Sequence, residues 1–444
     1  MAVRDVQSAT ADAVPAVDRR HMLNAIIASC FGWALDLFDL FILLYVAPVI
    51  GAAFFPSERP TLSLAAVYAS FSVTLLMRPL GSAVFGHYAD THGRKSAMIV
   101  AMIGVGVITA SFGLLPTIHQ IGLIAPVLFL VLRMIQGVFV GGVVASTHTI
   151  GTESVPSHWR GWMSGLVGGG GAAIGALLAS IVYLITAAIF PGEAFAQWGW
   201  RVMFFSGLLS AVLGLFIFRN LEESPFFKRL QQVKAASTVR VRSPLKSLFS
   251  PDYRNVFFLN LLLTAGGGTG YYLTSGYLPT FLKVINQIPN TIAATILMAA
   301  SVSAFIAAVL IGWISDQIGR KKTFLIVGFA AIILLPFCYL GMARADDLTV
   351  IVLYSLAIAF IGNAGYAPIL IFLNERFPTE IRASGTGLSW NIGFALGGMM
   401  PTFVSLASAG PAQIPMSLSV FIVVIFAVYL VGALLIPETK GDFR

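Results

Sequence analysis

A ten-residue pattern occurs twice in the chain, beginning at Gly86 and again at Gly312. The first copy reads Gly-His-Tyr-Ala-Asp-Thr-His-Gly-Arg-Lys, and the second reads Gly-Trp-Ile-Ser-Asp-Gln-Ile-Gly-Arg-Lys. Each copy lies where one long apolar run ends and the next begins, so the pattern predicts a short basic turn between two membrane helices. The duplication indicates two related halves, an organisation found in many secondary transporters.

The composition supports a membrane protein. Only 10% of the 444 residues are charged and 57% are hydrophobic, whereas a soluble domain carries about 25% charged residues. Cys30 and Cys338 both lie inside apolar runs. No disulfide framework and no metal site is therefore predicted.

The apolar runs predict the number of helices. Spanning the hydrocarbon core of a bilayer takes about 20 apolar residues, and backbone polar groups in lipid must be satisfied within the segment. We therefore predict an all-α membrane protein with twelve transmembrane helices in two pseudo-symmetric bundles of six. The runs cover about 22–50, 60–86, 95–115, 121–150, 161–190, 200–218, 253–282, 291–314, 323–342, 348–374, 384–408 and 414–436.

The positions of the basic residues predict the orientation. The net charge is +8, and most of the Lys and Arg residues fall in segments on the side of the two duplicated turns. Because positive charge accumulates in cytoplasmic segments, we expect both termini to be cytoplasmic. The basic balance then reflects topology in a lipid bilayer and not binding to nucleic acid. The first run begins after Arg19 and Arg20 and is too long for a signal peptide, so we expect an uncleaved first span.

A second repeated motif supports the division into halves. Glu153, Pro156 and Arg160 in the first half are spaced like Glu375, Pro378 and Arg382 in the second. We expect the chain to act as a monomer. The predicted segments are a cytoplasmic tail at 1–21, a bundle at 22–218, a cytoplasmic linker at 219–252, a second bundle at 253–436 and a tail at 437–444.

The duplicated turn and the Glu-Pro-Arg motif together predict a cytoplasmic gate. Glycine permits a tight bend or a close helix approach, and an aspartate is stabilised near the N-terminus of a neighbouring helix. Such a charge cluster can hold two helices together in one conformation and release them in another. The alternative is a solvated turn that only sets topology. The predicted gate residues are Gly86, Asp90, Gly93, Arg94, Glu153, Arg160, Gly312, Asp316, Gly319, Arg320, Glu375 and Arg382.

Further motifs connect the chain to a known family. With the duplicated turns, they make the chain resemble the major facilitator superfamily over essentially its whole length. The resemblance implies two six-helix bundles and transport. The motifs are Arg133-Met-Ile-Gln136-Gly137-x-x-x-Gly141-Gly142 in span four, Leu221-Glu222-Glu223-Ser224-Pro225 after span six and Pro437-Glu438-Thr439-Lys440 after span twelve.

Two groups within the superfamily are most similar. Arg78-Pro79-Leu80-Gly81 and Trp198-Gly199-Trp200-Arg201 look like the metabolite:proton symporters, and Trp33-x-x-Asp36-x-x-Asp39 looks like the sialate and lactate:proton symporters. Both groups import mainly organic anions. The chain departs from the first group in span one and after the span-four glycines. Span five lacks the Gly-Pro signature of drug:proton antiporters, which argues against that class.

Two acidic residues, Asp36 and Asp39, lie within an apolar run. A charge at the bilayer centre costs about 2.5–3.5 kcal/mol on insertion scales and marks a functional candidate. The two carboxyl groups are three residues apart, so they share one helix face, and we expect them to titrate as a coupled pair. They are candidates for proton coupling and substrate contact. The alternative is a structural pair.

Arg133 is the predicted partner of these carboxylates. Arginine stays charged, so a mid-span guanidinium needs an acidic partner or an anionic substrate. One hypothesis is that Arg133 alternates between Asp36 or Asp39 and the substrate carboxylate, which would couple the two fluxes. The alternative is that Arg133 only holds helices one and four together. We expect Arg78 to be structural and near the gate, and His148 to be a packing residue.

The second half lacks an ionisable group in the middle of a span, so its predicted site residues are neutral. A pocket combines apolar walls with a few oriented polar groups, and the alternative role is interhelical packing. We expect Gly266, Gly267, Gly268 and Gly270 to let span seven bend. The substrate-binding candidates of this half are Tyr271, Tyr272, Thr274, Asn363, Tyr366, Trp390 and Asn391.

These patterns and the resemblance predict a secondary active transporter of a bacterial inner membrane that takes up a small organic anion, such as the monocarboxylate lactate, together with a proton. A proton-independent facilitator or a carboxylate exchanger is the alternative within transport. A non-transporting receptor is the alternative from another class. We expect no catalytic residues and no cofactor, with the proton as coupling ion, because no nucleophile motif, phosphate loop or metal-spaced cluster occurs in the sequence.

Overall fold

Long helices joined by short turns make up the computed structural model, which describes residues 19–92, 94–153, 155–219, 248–377 and 379–441. Within this part of the chain there is no β-strand. Ten helical segments are long and apolar enough to cross a membrane. Two more segments of similar length, one from 251 to 284 and one from 379 to 407, bring the number to the twelve that the sequence predicts.

The first six helices form the N-terminal half. Helix α1, Arg19–Tyr45, continues after Val46 as the short helix Ala47–Phe54. Helix α6 is composed of a π-helical turn at Phe195–Gly199 and two α-helical pieces, Trp200–Phe205 and Gly207–Arg219. The bounds of the others are α2 Pro60–His92, α3 Arg94–Leu114, α4 Ile124–Glu153 and α5 Arg160–Ile189.

The C-terminal half contains helices α7 to α12. Helix α7 is Pro251–Tyr271, followed by a π-helical turn at Tyr272–Gly276 and a last piece, Leu278–Val284. Helix α10 is Leu348–Tyr366, extended by Ile369–Arg376. The remaining helices are α8 Asn290–Ile318, α9 Arg320–Met342, α11 Thr379–Ala407 and α12 Ile414–Leu435.

The two copies of the repeated pattern lie in equivalent turns. Helix α8 ends at Ile318 and α9 begins at Arg320, so the chain turns within the single residue Gly319. The φ angle of Gly319 is +99°, which a residue with a side chain rarely adopts. Helices α2 and α3 are likewise separated by one position. We call the side of the molecule that carries both turns the turn face.

The halves meet mainly along two helix pairs, α2 with α11 and α5 with α8. Small residues allow the second pair to approach closely. A Cβ atom at Gly312 would lie 2.8 Å from the carbonyl oxygen of Gly161, and one at Gly169 would lie 2.6 Å from the Cβ of Ala308. Gly312 is therefore a close-packing position between the halves as well as part of the repeated turn.

The irregular part of α7 lies after its glycines. Gly266, Gly268 and Gly270 are α-helical and pack against Tyr429, Phe394 and Phe426. The helix changes to a π turn only at Tyr272, and π turns often mark functional segments. The expectation that these glycines let span seven bend during transport stays a prediction, and in this conformation their missing side chains make room for neighbouring rings.

Candidate functional site

A buried ion pair joins α1 to α2. The Nη2 atom of Arg78 lies 3.7 Å from Oδ2 of Asp36, and the two side chains are 7% and 2% exposed. Within the described part of the chain, the second carboxylate oxygen of Asp36 and the Nε of Arg78 have no hydrogen-bond partner. A buried charge that is only partly satisfied is costly, so this pair retains capacity to bind a charged ligand.

This placement corrects the expectation that Arg78 lies near the gate. Helix α2 does not end near position 86 but continues to His92, so Arg78 lies near the middle of the helix, beside Asp36. Asp36 is therefore paired with Arg78 and not with Arg133 in this conformation.

Arg133 is enclosed within the N-terminal half. Its Nη1 donates a hydrogen bond of 2.7 Å to Gln136, whose amide donates to Thr109 at 2.8 Å. The guanidinium carbon lies 4.3 Å from the ring centre of Phe112 and 5.1 Å from that of Phe129. The structure thus places Arg133 away from the interface between the halves, which differs from the predicted substrate contact, because these rings surround the group.

Asp39 lies one helical turn from Asp36 and is 1% exposed. Its two carboxylate oxygens lie 3.3 and 3.1 Å from the hydroxyl oxygen of Ser210, whose single proton is shared between Asp39 and the carbonyl of Gly207 at 2.8 Å. Asp39 also interacts electrostatically with Asp36 and Arg133. The three predicted coupling residues therefore lie in one electrostatic network inside the N-terminal half.

Aromatic side chains from both halves meet beside the Asp36–Arg78 pair. The indole of Trp33 in α1 donates a hydrogen bond of 3.2 Å to the hydroxyl of Tyr366 in α10. Tyr366 stacks on Tyr271 with ring centres 5.0 Å apart, and its edge meets Trp390 at 5.3 Å. Arg78 acts electrostatically on Tyr366 and Tyr272. We call Trp33, Tyr271, Tyr272, Tyr366, Trp390 and Phe394 the aromatic cluster.

Two members of this cluster, Trp33 and Phe394, were not among the predicted site residues. Phe394 stacks on Trp390 with ring centres 3.8 Å apart. Trp33 is three residues before Asp36, so the same helix-face argument that joined the two aspartates would have included it. No comparable signal marked Phe394 among the 34 phenylalanines of the chain.

A small cavity of about 20 Å³ lies next to the cluster, lined by Tyr271, Ser275 and Asn363 among others. This volume admits about one water molecule. The hydroxyl of Tyr271 and the amide oxygen of Asn363 are buried without a hydrogen-bond partner in the part of the chain described. These two predicted residues therefore present polar atoms that a ligand or a water can satisfy.

The other two candidates of the second half differ from each other. The hydroxyl of Thr274 donates to the carbonyl of Gly270 at 2.6 Å, so it is satisfied within its own helix. The amide oxygen of Asn391 is buried and has no partner among the described residues. Asn391 can therefore accept a hydrogen bond from a ligand, whereas the hydroxyl proton of Thr274 is already used within its own helix.

The second copy of the gate crosses between the halves on the turn face. Asp316 accepts hydrogen bonds from the backbone N–H groups of Gly161 and Trp162, at 3.2 and 2.8 Å. These groups belong to the first turn of α5, where negative charge is stabilised. Asp316 of α8 thereby caps a helix of the opposite half, and Arg160 begins that helix.

Arg320 connects this cap to α10. Its Nη1 lies 2.8 Å from Asp316 and its Nη2 lies 3.0 Å from Glu375. A guanidinium between two carboxylates forms charge-assisted hydrogen bonds with each. We call Asp316, Arg320 and Glu375 the turn-face latch.

The motif after the last helix belongs to the same region. Glu438 accepts hydrogen bonds from the backbone N–H groups of Arg320 and Lys321, at 2.8 and 3.1 Å. The hydroxyl of Thr439 donates to Glu375 at 2.8 Å. Sequence reasoning used this motif only for the family resemblance, although its position directly after span twelve already placed it on the turn face.

The first copy of the gate lies largely outside the described residues. Gly93 is not described, and nothing is described of the side chains at positions 86, 90, 94, 153 and 382. The predicted roles of Gly86, Asp90, Gly93, Arg94, Glu153 and Arg382 therefore stay predictions, and His148 also lies outside the described side chains.

Replacing Glu438 by alanine is expected to destabilise the start of α9. Two backbone N–H groups lose their acceptor, and a cap of this kind contributes about 1 kcal/mol. Thermal unfolding of purified protein, followed by intrinsic fluorescence, measures the change. Glu438→Gln retains an acceptor and should lose about half as much; equal stability of all three proteins would contradict the capping role.

Comparison with known proteins agrees with this architecture. The family model described as Major Facilitator Superfamily matches residues 22–402 and 288–442. The D-xylose–proton symporter has a solved structure that superposes with a TM-score of 0.71 at 18% identity, covering 95% of this chain and 99% of the other. The proton:xylose symporter XylE bound to 6-bromo-6-deoxy-D-glucose superposes with a TM-score of 0.74 at 17% identity, covering 95% and 97%. At this identity the superposition shows the fold alone.

Several curated bacterial relatives cover most of the chain. The glycine betaine/proline/ectoine/pipecolic acid transporter OusA of Dickeya dadantii (strain 3937) is 30% identical over 97% of this chain and 86% of its own length. The inner membrane metabolite transport protein YhjE of Escherichia coli (strain K12) is 28% identical over 86% and 87%. The proline/betaine transporter of the same strain is 28% identical over 99% and 88%. The chain therefore belongs to the Major Facilitator Superfamily and is a multi-pass membrane transporter, not an enzyme.

Proposed function

We propose that the chain couples proton entry to the uptake of a small solute bearing a carboxylate, by alternating access across a bacterial inner membrane. The observation that carries this proposal is the buried Asp36–Arg78 pair, which is only partly satisfied and lies beside the aromatic cluster. Arg78 is the binding group for the solute carboxylate, because a guanidinium pairs with carboxylates through directed hydrogen bonds.

Charge balance favours a zwitterionic solute. The Asp36–Arg78 pair has no net charge, so a zwitterion can exchange partners with it while every buried charge stays paired. The carboxylate of the solute takes Arg78, and its cationic nitrogen takes Asp36. The aromatic cluster supports this arrangement, because the faces of Trp and Tyr rings attract quaternary and other ammonium groups.

The names of the relatives agree with this class. Glycine betaine, proline, ectoine and pipecolic acid, which appear in the name of OusA, each combine a carboxylate with a positively charged nitrogen. We therefore propose that a compatible solute of this kind is the transported molecule, with glycine betaine and proline as the first candidates.

A small organic anion, such as lactate, is the second candidate. Arg78 would bind its carboxylate equally well, but the displaced Asp36 would then remain a buried unpaired charge. Uptake of an anion therefore requires a proton on Asp36, which gives the pair a direct role in coupling. Exchange or facilitated diffusion of carboxylates without a proton would instead require the anion to bind away from Arg78, which would leave the Asp36–Arg78 pair as a structural one.

We assign the proton that drives zwitterion uptake to Asp39. This residue is buried, its carboxylate lies within hydrogen-bond distance of Ser210, and it interacts electrostatically with Arg133. No cofactor is needed for this scheme. The basic residues near the duplicated turns orient the turn face toward the cytoplasm, with both termini on that side.

Uptake into proteoliposomes tests the proposal. Glycine betaine, proline and lactate are offered with and without an inward proton gradient. We expect gradient-driven uptake of a zwitterion, reduced at least about tenfold by Arg78→Gln because a buried pair is broken. If the uptake of all three solutes is the same with and without the proton gradient, symport is contradicted.

The Asp36→Asn variant separates the two solute classes. For a zwitterion it removes the partner of the cationic nitrogen, so the apparent affinity should fall about tenfold. For an anion it imitates the protonated state and frees Arg78, so binding should be retained or strengthened. Arg78→Lys, which keeps the charge but loses the planar fork, is the matched control for both.

A further inference from the structure

On the face opposite the turn face, α2 contacts two helices of the other half. Tyr68 stacks on Tyr277 of α7, with ring centres 5.2 Å apart and planes inclined by 17°. The hydroxyl of Tyr68 shares a hydrogen bond of 2.8 Å with the hydroxyl of Thr280. All three side chains are buried, so this contact closes the end of the interface near the start of α2.

The next turns of α2 also contact the C-terminal half. Phe71 meets Tyr272 of α7 with ring centres 5.3 Å apart. The hydroxyl of Ser72 donates a hydrogen bond of 3.1 Å to the carbonyl of Gly398 in α11. Leu75 occupies the space that a side chain at Gly398 would need. Positions 68, 71, 72 and 75 follow the spacing of one helix face, so one edge of α2 contacts the C-terminal half along its length.

We propose that Tyr68, Tyr277 and Thr280 form the second gate of the transporter, on the face opposite the latch. The turn-face latch is closed in the same structure, through Asp316 and the start of α5. Between the two closures the cavity lined by Tyr271, Ser275 and Asn363 has room for about one water. The described contacts thus join the halves on both faces, and a solute can enter from this face only after the Tyr68 contacts separate.

The two gates differ in chemistry. The latch consists of charged groups, whereas the Tyr68 gate consists of neutral hydroxyls and rings. Removing one neutral hydrogen bond should weaken the closed gate without leaving a buried charge, because the partner hydroxyl can turn to water when the gate opens. The expected effect is a shift of the population toward the form open on this face.

Cysteine labelling measures this shift without any transported solute, so the outcome does not depend on the proposed substrate or proton coupling and rests only on the proposed orientation, with the turn face cytoplasmic. Cys30 and Cys338, both buried, are replaced by serine, and Ser301→Cys places one thiol at the small cavity. A membrane-impermeant maleimide is added to intact cells, and the rate of labelling is followed with time.

Tyr68→Phe and Thr280→Val remove the same hydrogen bond from its two sides while keeping the packing. Each should raise the labelling rate about three- to tenfold, and the double variant should gain little more. Tyr339→Phe is the matched control, because it also removes a tyrosine hydroxyl but one that does not join the halves. The hydroxyl of Tyr339 donates a hydrogen bond of 2.6 Å to the carbonyl of Leu273 within the C-terminal half. Its labelling rate should stay that of the parent.

Three results would each overturn the proposed gate. Unchanged labelling in Tyr68→Phe and Thr280→Val, with both proteins monodisperse on size exclusion, means that the Tyr68 contacts do not limit access. Equal acceleration in Tyr339→Phe means that any lost hydroxyl loosens the bundle, which also rejects a specific gate. Additive effects of Tyr68→Phe and Thr280→Val mean that the hydroxyls do not act as a pair.

Discussion

Asp39→Asn is expected to abolish proton-driven accumulation of the solute while leaving exchange across the membrane intact. A membrane potential of 100 mV supplies about 2.3 kcal/mol per transported charge, which sustains about a 50-fold gradient of a neutral or zwitterionic solute carried with one proton. Asparagine has the shape of a protonated aspartate and cannot release a proton. The variant should therefore equilibrate the solute but not concentrate it.

The surroundings of Asp39 make this variant informative. The hydroxyl of Ser210 can hydrogen-bond to the asparagine amide as it does to the carboxylate. Arg133 stays in place through Gln136 and the phenylalanine rings. The substitution therefore removes the titrating group with little change in packing.

Two measurements in the same proteoliposomes check the expectation. Counterflow of labelled against unlabelled solute reports exchange, and uptake under an inward proton gradient reports accumulation. Ser210→Ala is the control, because it removes one hydrogen bond but keeps the carboxyl, so accumulation should persist. Normal accumulation by Asp39→Asn would exclude Asp39 as the proton carrier.

The fold was largely predictable from the sequence because membrane helices carry their signal locally. About 20 consecutive apolar residues are sufficient to mark each span, and the twelve predicted spans correspond to helices of the structure. The end of α2 was the main error. The helix continues six residues beyond the predicted boundary at 86 and so includes most of the first repeated turn.

The pairing of charges was not predictable in the same way. Asp36, Asp39 and Arg133 were recognised because charges within apolar runs are rare and costly. The pairing of each aspartate with an arginine depends on how far separate helices are shifted along their axes relative to one another. No local sequence pattern indicates this shift. The misplaced end of α2 therefore moved Arg78 away from Asp36 and left Arg133 as the apparent partner.

The aromatic cluster shows another limit of sequence reasoning. Tyr271, Tyr272, Tyr366 and Trp390 were predicted as polar site residues of the second half, and the structure brings them together with Trp33 of the first half. The contacts of Tyr366 and Trp390 with Trp33, more than 300 positions away, arise where side chains of α1 reach α10 and α11 across the interface. The consequence for function, that these rings adjoin the ion pair, appears only in three dimensions.

Replacing Arg320 by glutamine is expected to give the largest loss of stability on the turn face. The side chains of Arg320 and Glu375 are each 3% exposed, and Asp316 also depends on the guanidinium. Removing one partner of a buried ion pair costs about 3–5 kcal/mol, because the remaining charge is left uncompensated. Glu375 keeps the hydrogen bond from Thr439 and Asp316 keeps those from α5, so the free energy of unfolding should fall by an amount within this range.

The unfolding of purified protein in detergent, followed on heating or in denaturant, measures this loss. Lys440→Gln is the matched control, since Lys440 is exposed and its Nζ donates to a backbone carbonyl, that of Gln317. An interaction at the surface contributes about 0–1 kcal/mol. If Arg320→Gln proves as stable as Lys440→Gln, the turn-face latch is not a stabilising ion-pair network.

The double variant Arg320→Gln with Glu375→Gln separates charge from packing. If the loss in Arg320→Gln arises from unpaired carboxylates, removing the Glu375 charge should restore part of the stability, because one of the two uncompensated charges is gone. If the loss arises from the missing bulk of the arginine, the second substitution should add to the damage. Recovery would also assign the ion pairs of Arg320 to the stability of the C-terminal half, so that opening between the halves breaks the hydrogen bonds of Asp316 with α5 and not those of Arg320.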